Sequence, residues 1–155
     1  MDAIRLLKAD HRDVKRLFED FRTSGDRAHK HKQELAEESF AKLELHTTVE
    51  EEIFYPAVGA ASKALREAVA ESLEEHHVVK LLIEELKRLH EEDERYDAKF
   101  TVLMENVEHH IEEEDDLFPR AEAELGGELD RLGEQMAKRR EELRVSAGRI
   151  VQTFE

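Results

Sequence analysis

The chain has 155 residues, 39 of them acidic and 24 basic, for a net charge of -15 at neutral pH, and it has no cysteine. That charge argues against nucleic-acid backbones and anionic membrane surfaces as partners, and the missing thiols exclude disulfides, thiolate zinc sites, cysteine-ligated clusters and thiol catalysis. No apolar run approaches the roughly 20 residues of a membrane span, and Met1-Asp2-Ala3-Ile4 opens nothing like a signal peptide, so one soluble, cytoplasmic, helix-rich domain is expected.

Asp2 is suited to cap a first helix, after which Ile4, Leu7, His11, Val14, Phe18 and Phe21 recur at spacings of three and four, with His11 in mid-stripe. Thr23-Ser24-Gly25-Asp26 should end it. A second helix begins between Ala28 and Gln33, turns Leu35, Leu43, His46, Glu50 and Ile53 inward, and is expected to stop or kink at Pro56. Ser62 can cap a third, whose stripe is Leu65, Val69, Leu73, His76, Val79, Ile83 and Leu86. After a charged turn over Glu91 to Asp97, a fourth runs from Ala98 to Phe118 with Phe100, Leu103, Val107, His110, Glu114 and Leu117 inward, closed by Pro119. Gly126-Gly127 breaks the chain, and Leu129, Leu132, Met136 and Leu143 mark a looser C-terminal helix. The fold class expected is all-α: an antiparallel up-down-up-down four-helix bundle over residues 1–120, with residues 121–155 packed on it as a helical extension.

Two of these helices carry a histidine and a glutamate one turn apart on the inward face, His46 with Glu50 and His110 with Glu114. The other two carry lone central histidines, His11 and His76. A buried imidazole or carboxylate destabilises by several kcal/mol unless paired or bound to a cation. One histidine on an apolar stripe is more often a hydrogen-bonded core residue, and acidic runs such as Glu112 to Asp116 are usually solvated. Registered repetition of four motifs is what points to metal. Four imidazoles and two bridging carboxylates would give each of two ions two nitrogens and two oxygens, and a solvent bridge would leave about one octahedral position open. Mixed ligation of this kind suits iron or manganese better than zinc, calcium or magnesium. His29 and His31 lie by a turn, His77 and His109 point away from the seam, and His90 reads as helix-end packing. Tyr55 reads first as an amphipathic lid residue and second as a proton donor or ligand beside a metal.

The four motifs in this order are Asp10-His11, His46-xxx-Glu50 running into Ile53-Phe54-Tyr55-Pro56, Glu75-His76, and His110-xxx-Glu114 running into Leu117-Phe118-Pro119. Together they resemble the hemerythrin-like family of histidine/histidine/glutamate cation-binding domains. The resemblance implies a non-heme pair of iron ions, oxo- or hydroxo-bridged, held by His11, His46, Glu50, His76, His110 and Glu114. It further implies reaction with dioxygen, nitric oxide or hydrogen peroxide, in sensing, storage or stress defence. Two departures stand out. Lys80 stands where invertebrate oxygen carriers have a further histidine, and Glu114 where they have aspartate, which moves the chain away from simple oxygen carriage. Counted back from the proline, the second pair would be His109 and Glu113; counted by stripe it is His110 and Glu114, because Asn106 and Asp116 flank His109 where apolar residues belong. Burial governs ligation, so the stripe is preferred, and it selects His76 over His77. The competing readings are a di-iron enzyme that disproportionates peroxide and a structural bundle without metal. A ferritin-like centre would need two Glu-xx-His motifs, and the bundle has only Glu74-xx-His77.

Overall fold

The computed structural model describes the backbone of residues 1–154 and the side chains of residues 1–148. Helix α1 (Ala3–Thr23) starts where the Asp2 carboxylate accepts from the Arg5 N–H. Helix α2 (His29–Val49) passes into a π-helical turn (Glu50–Phe54) and straight on into α3 (Tyr55–Ala61). Ser62 accepts from Leu65 N–H to open α4 (Lys63–Lys87), and Asp93 accepts from Arg95 N–H to open α5 (Glu94–Leu125). Gly126, at φ 50°, ends α5, and α6 (Glu128–Phe154) completes the chain. Positive φ is open to glycine without a Cβ penalty, which is why the break falls there. Helix α1 pairs with α2 and α4 with α5, giving two antiparallel hairpins packed face to face. The described residues contain no strand and no helix long and apolar enough to cross a membrane.

Two apolar clusters fill the bundle. One gathers Ile4, Leu7, Phe54, Val58, Leu117 and Phe118 with Leu129, Leu132 and Met136 of α6, so the C-terminal helix buries its apolar face on one end of the bundle. The other gathers Phe18, Phe21, Phe40, Leu43, Ile83, Phe100 and Val107 at the opposite end. At Gly133 a Cβ would stand 2.3 Å from the Met1 carbonyl oxygen, so α6 crosses the N-terminus at a distance only glycine permits. The polar stripe residues fall between the two clusters.

Five local expectations are corrected. Pro56 does not stop the second helix; it sits on the exposed side of the first turn of α3, directly after the π turn, and the helical backbone continues through it. The register change comes just before it. In the π turn the Tyr55 N–H bonds Glu50 O, an i to i+5 spacing that admits one extra residue, so Phe54, Tyr55 and Val58 are buried and Ile53 only half-buried. Pro119 does not close the fourth helix either. It lies on the exposed face of α5, where water can satisfy the carbonyl it frees, and the burial of Leu117, Phe118, Ala121 and Leu125 offsets a cost of roughly 3 kcal/mol. On α4 the 3.6-residue period turns Ser72 inward and leaves Leu73 40% exposed. His90 lies beyond the end of α4 with its side chain 68% exposed, so it packs nothing.

Candidate metal centre

Each hairpin brings two imidazoles to the middle of the bundle. Helices α1 and α2 supply His11 and His46, with ring centroids 5.1 Å apart, and α4 and α5 supply His76 and His110, 4.7 Å apart. The carboxylates cross over. Glu114 of α5 joins His11 and His46, Glu50 of the π turn joins His76 and His110, and within each trio the potential ligand atoms lie within 4.8 Å of one another. Each carboxylate also stays beside the histidine one turn before it, at 2.8 Å for His46 Nε2 to Glu50 Oε1 and 3.3 Å for His110 Nε2 to Glu114 Oε1. Glu50 and Glu114 therefore face both trios. All six side chains belong to residues at most 5% exposed.

The outer nitrogens are held as a metal-binding imidazole needs. His46 Nδ1 lies 2.8 Å from Asp10, His76 Nδ1 2.9 Å from Glu51 and His110 Nδ1 2.7 Å from Glu75. A carboxylate on Nδ1–H fixes the ring and turns Nε2 inward with its lone pair. Asp10 precedes His11 in sequence yet holds His46, and Glu75 precedes His76 yet holds His110, so each acidic residue orients the histidine on the other helix of its hairpin. His11 Nδ1 has no hydrogen-bond partner, its nearest carboxylate being Asp115 at 3.9 Å, and the ring stacks on Phe118 instead.

Whether these residues suit a cation is decided by Glu50. Its residue is 0% exposed, and neither oxygen has a hydrogen-bond partner; His46 Nε2, at contact distance, is out of line for a hydrogen bond and also lacks one. Buried polar atoms in folded proteins are almost always bonded. Two orphaned carboxylate oxygens facing inward-turned imidazole nitrogens form a donor set that a divalent or trivalent ion would satisfy. His77 is exposed. His109 and Glu113 pair with each other at 2.9 Å on the outside of α5, their side chains 65% and 37% exposed. The π turn also accounts for the one-residue mismatch between the halves: it lengthens the path from Glu50 to Pro56 but has no counterpart between Glu114 and Pro119.

Tyr55 is the residue whose place sequence reasoning ranked wrongly. It is no lid: the residue is 1% exposed, and its hydroxyl donates to Glu114 Oε2 at 2.8 Å and lies 3.2 Å from His76 Nε2 and 3.4 Å from His110 Nε2. The π turn carries it inward. Burial, and then the charges of Glu50 and Glu114, push its ionisation well above that of a free phenol, so the proton stays on oxygen.

Charge balance in the metal-free centre has a measurable consequence. Burial opposes charging of His46 and His110, but Glu50, Asp10 and Glu114 around the first and Glu114, Glu75 and Glu50 around the second outweigh it, raising His46 well above the usual range and His110 to about 10. A raised histidine stabilises fully below its unfolded value near 6.5, and the contribution is lost as pH rises through the folded value. Chelator-treated protein is therefore expected to lose melting temperature between about pH 6.5 and 10. A metal must displace these protons, so its apparent affinity should rise up to about tenfold per pH unit for each proton released over the same window. Thermal melts with and without added metal across that range read both slopes.

A family model described as the hemerythrin HHE cation-binding domain matches residues 2–121. Uncharacterised proteins of Mycobacterium tuberculosis and Mycobacterium bovis are 31% identical to the chain over 115 residues, covering 72% of it and 69% of their own length. A solved hemerythrin HHE cation-binding domain-containing protein from Mycobacterium kansasii shares its fold at TM-score 0.82 and 28% identity, over 99% of this chain and 93% of that one. Four helices with inward histidines and glutamates, with that family's model matching residues 2–121, lead to one conclusion: the chain belongs to the hemerythrin HHE cation-binding domain family.

Proposed function

We propose that His11, His46, Glu50, His76, His110 and Glu114 would hold two iron ions, and that the pair binds or reacts with dioxygen, nitric oxide or hydrogen peroxide. The observation that carries this reading is the doubly orphaned, wholly buried Glu50 carboxylate between two pairs of imidazoles. Bound there, an iron pair would supply Lewis acidity and, in its reduced form, electrons to a small oxidant. Iron is preferred over manganese by the family resemblance, and zinc fits the oxygen-rich set less well.

The chain's own part follows from its geometry. A cavity of about 20 Å³ lies against His11, His46, His76 and His110, walled by Val14, Leu43, Val79, Val107 and Ile111. That is room for about one water-sized molecule, which favours a diatomic gas or peroxide over any larger substrate. Its apolar wall keeps bulk water from the imidazoles. The Tyr55 hydroxyl, which donates to Glu114 Oε2 and lies beside His76 and His110, can turn that hydrogen bond toward, or hand its proton to, an oxygen of a small molecule held next to them.

Proton supply beside the centre is what favours the second reading, catalytic peroxide disproportionation. Iron-loaded protein mixed with hydrogen peroxide separates the two. Turnover that disappears in His46→Ala supports catalysis, and stoichiometric reaction without turnover supports binding or sensing. Tyr55→Phe removes a buried hydroxyl and leaves Glu114 Oε2 one donor short, an expected loss of about 1–3 kcal/mol in stability. Its iron content should match the wild type while any turnover slows by about 10²-fold or more, as for loss of a positioned proton donor. Unchanged turnover would remove Tyr55 from the chemistry.

A further inference from the structure

We propose that Arg140, carried by the C-terminal helix, is a positioning residue for the centre and acts on His46 through Asp10. The Asp10 oxygen that lies against His46 Nδ1 at 2.8 Å also accepts from Arg140 Nη2. The Asp10 side chain is only 16% exposed and that of Arg140 20%. Asp10 therefore has the imidazole on one side and the guanidinium on the other, and the cation keeps its oxygen from swinging out to solvent. The neighbouring Arg139 grips Glu52 in the π turn, at 2.7 and 3.3 Å to its two oxygens. Helix α6 thus clamps the bundle beside both His46 and Glu50.

The opposite half has the same arrangement built differently. Lys80 bonds both oxygens of Glu51 at 2.8 and 2.7 Å, and Glu51 holds His76. One cation stands behind one histidine in each trio. Lys80 comes from the bundle's own α4, whereas Arg140 lies beyond residues 2–121, so a segment outside the matched domain completes the support of one half of the centre. Losing a partner that orients a metal-bound histidine typically weakens metal binding 10–100-fold. Arg140 acts one bond further out, at the lower end of that range.

The test has an arm that needs no metal. In metal-free protein labelled at the histidine ring nitrogens, Arg140→Met, which keeps much of the buried stem, should shift the His46 Nδ1 resonance and leave that of His110 in place. Lys80→Met should shift His76 and spare His46. Arg140→Lys should return His46 toward its wild-type position, and Arg140→Gln serves where the methionine variant does not fold. In iron-loaded protein, which rests on the function proposed above, Arg140→Met should weaken one of the two iron equivalents about tenfold. A His46 resonance unmoved by Arg140→Met, or all four histidines shifting together in both variants, overturns the proposal. A selective His46 shift in a protein that takes up no iron upholds the positioning role and overturns the iron reading instead.

Discussion

Glu50→Gln should fold as the wild type does and lose the stabilisation that iron confers. A ligand that binds only the folded state adds about 4 kcal/mol when its free concentration is a thousandfold above its Kd. For a chain of this size each kcal/mol moves the melting temperature by about 2–4 °C, so loading the wild type should raise it by roughly 8–16 °C. The substituted amide would have the shape of the carboxylate without its charge, and the rise should shrink to that of one ion or vanish. Before loading, the substitution removes a carboxylate that neither oxygen's hydrogen bonding supports. The metal-free melting temperature should fall somewhat at neutral pH, because the substitution takes away a charge that favours the protonated forms of His46 and His110, but this fall is independent of iron and leaves the loading comparison intact. If instead the polar centre were only a structural feature of the bundle, iron would leave both proteins' melting temperatures where they were. Calorimetry of the two proteins with and without Fe(II) distinguishes the outcomes.

Phe118→Ala is the substitution expected to do most damage to the fold around the centre. Phe118 is 1% exposed, stacks on His11 at 5.8 Å with planes 15° apart, and meets Phe54 edge-on at 6.1 Å. Removing the ring deletes a packing partner shared by α1, the π turn and α5, and should destabilise the chain by about 3–5 kcal/mol. That corresponds to a fall of roughly 6–20 °C in melting temperature. The His11 ring, whose Nδ1 has no hydrogen bond to hold it, would lose its wall and become mobile. Iron uptake should weaken with it. Phe118→Leu keeps most of the volume and should cost about 1.5 kcal/mol or less. Equal effects of the two substitutions would show that the stack on His11 is not what orients that ring.

The bundle was legible because its signal is repeated. Stripes at spacings of three and four bury Leu7, Val14, Phe18 and Phe100 where a 3.6-residue period places them, and the same periodicity carries His11, His46, His76 and His110 to one level. Capping by Asp2 and Ser62 was equally local and equally plain. The π turn was not, because Glu50-Glu51-Glu52-Ile53-Phe54 contains no glycine or proline to announce it. Its trace in the sequence is indirect: Pro56 lies six positions after Glu50, whereas Pro119 lies five after Glu114. The same turn hides the burial of Tyr55 from the sequence, since on an uninterrupted α-helix position 55 turns away from the face that carries His46 and Glu50. Pro119 misled because a proline reads as a terminator, whereas on a solvent-facing side of a well-buried helix the chain simply continues past it. The acidic residues that hold the Nδ1 atoms were visible as Asp10-His11 and Glu75-His76, but their reach across the hairpin, and the arrival of Arg140 behind Asp10, depend on tertiary placement that no local pattern encodes.

The most direct test of the whole account is the iron content of the wild-type chain after anaerobic loading with Fe(II), exposure to air and removal of free metal. About two iron atoms per chain are expected, with an oxo-to-iron absorption band that shifts on addition of azide as the open position fills. Colourless, iron-free protein under the same conditions would contradict it.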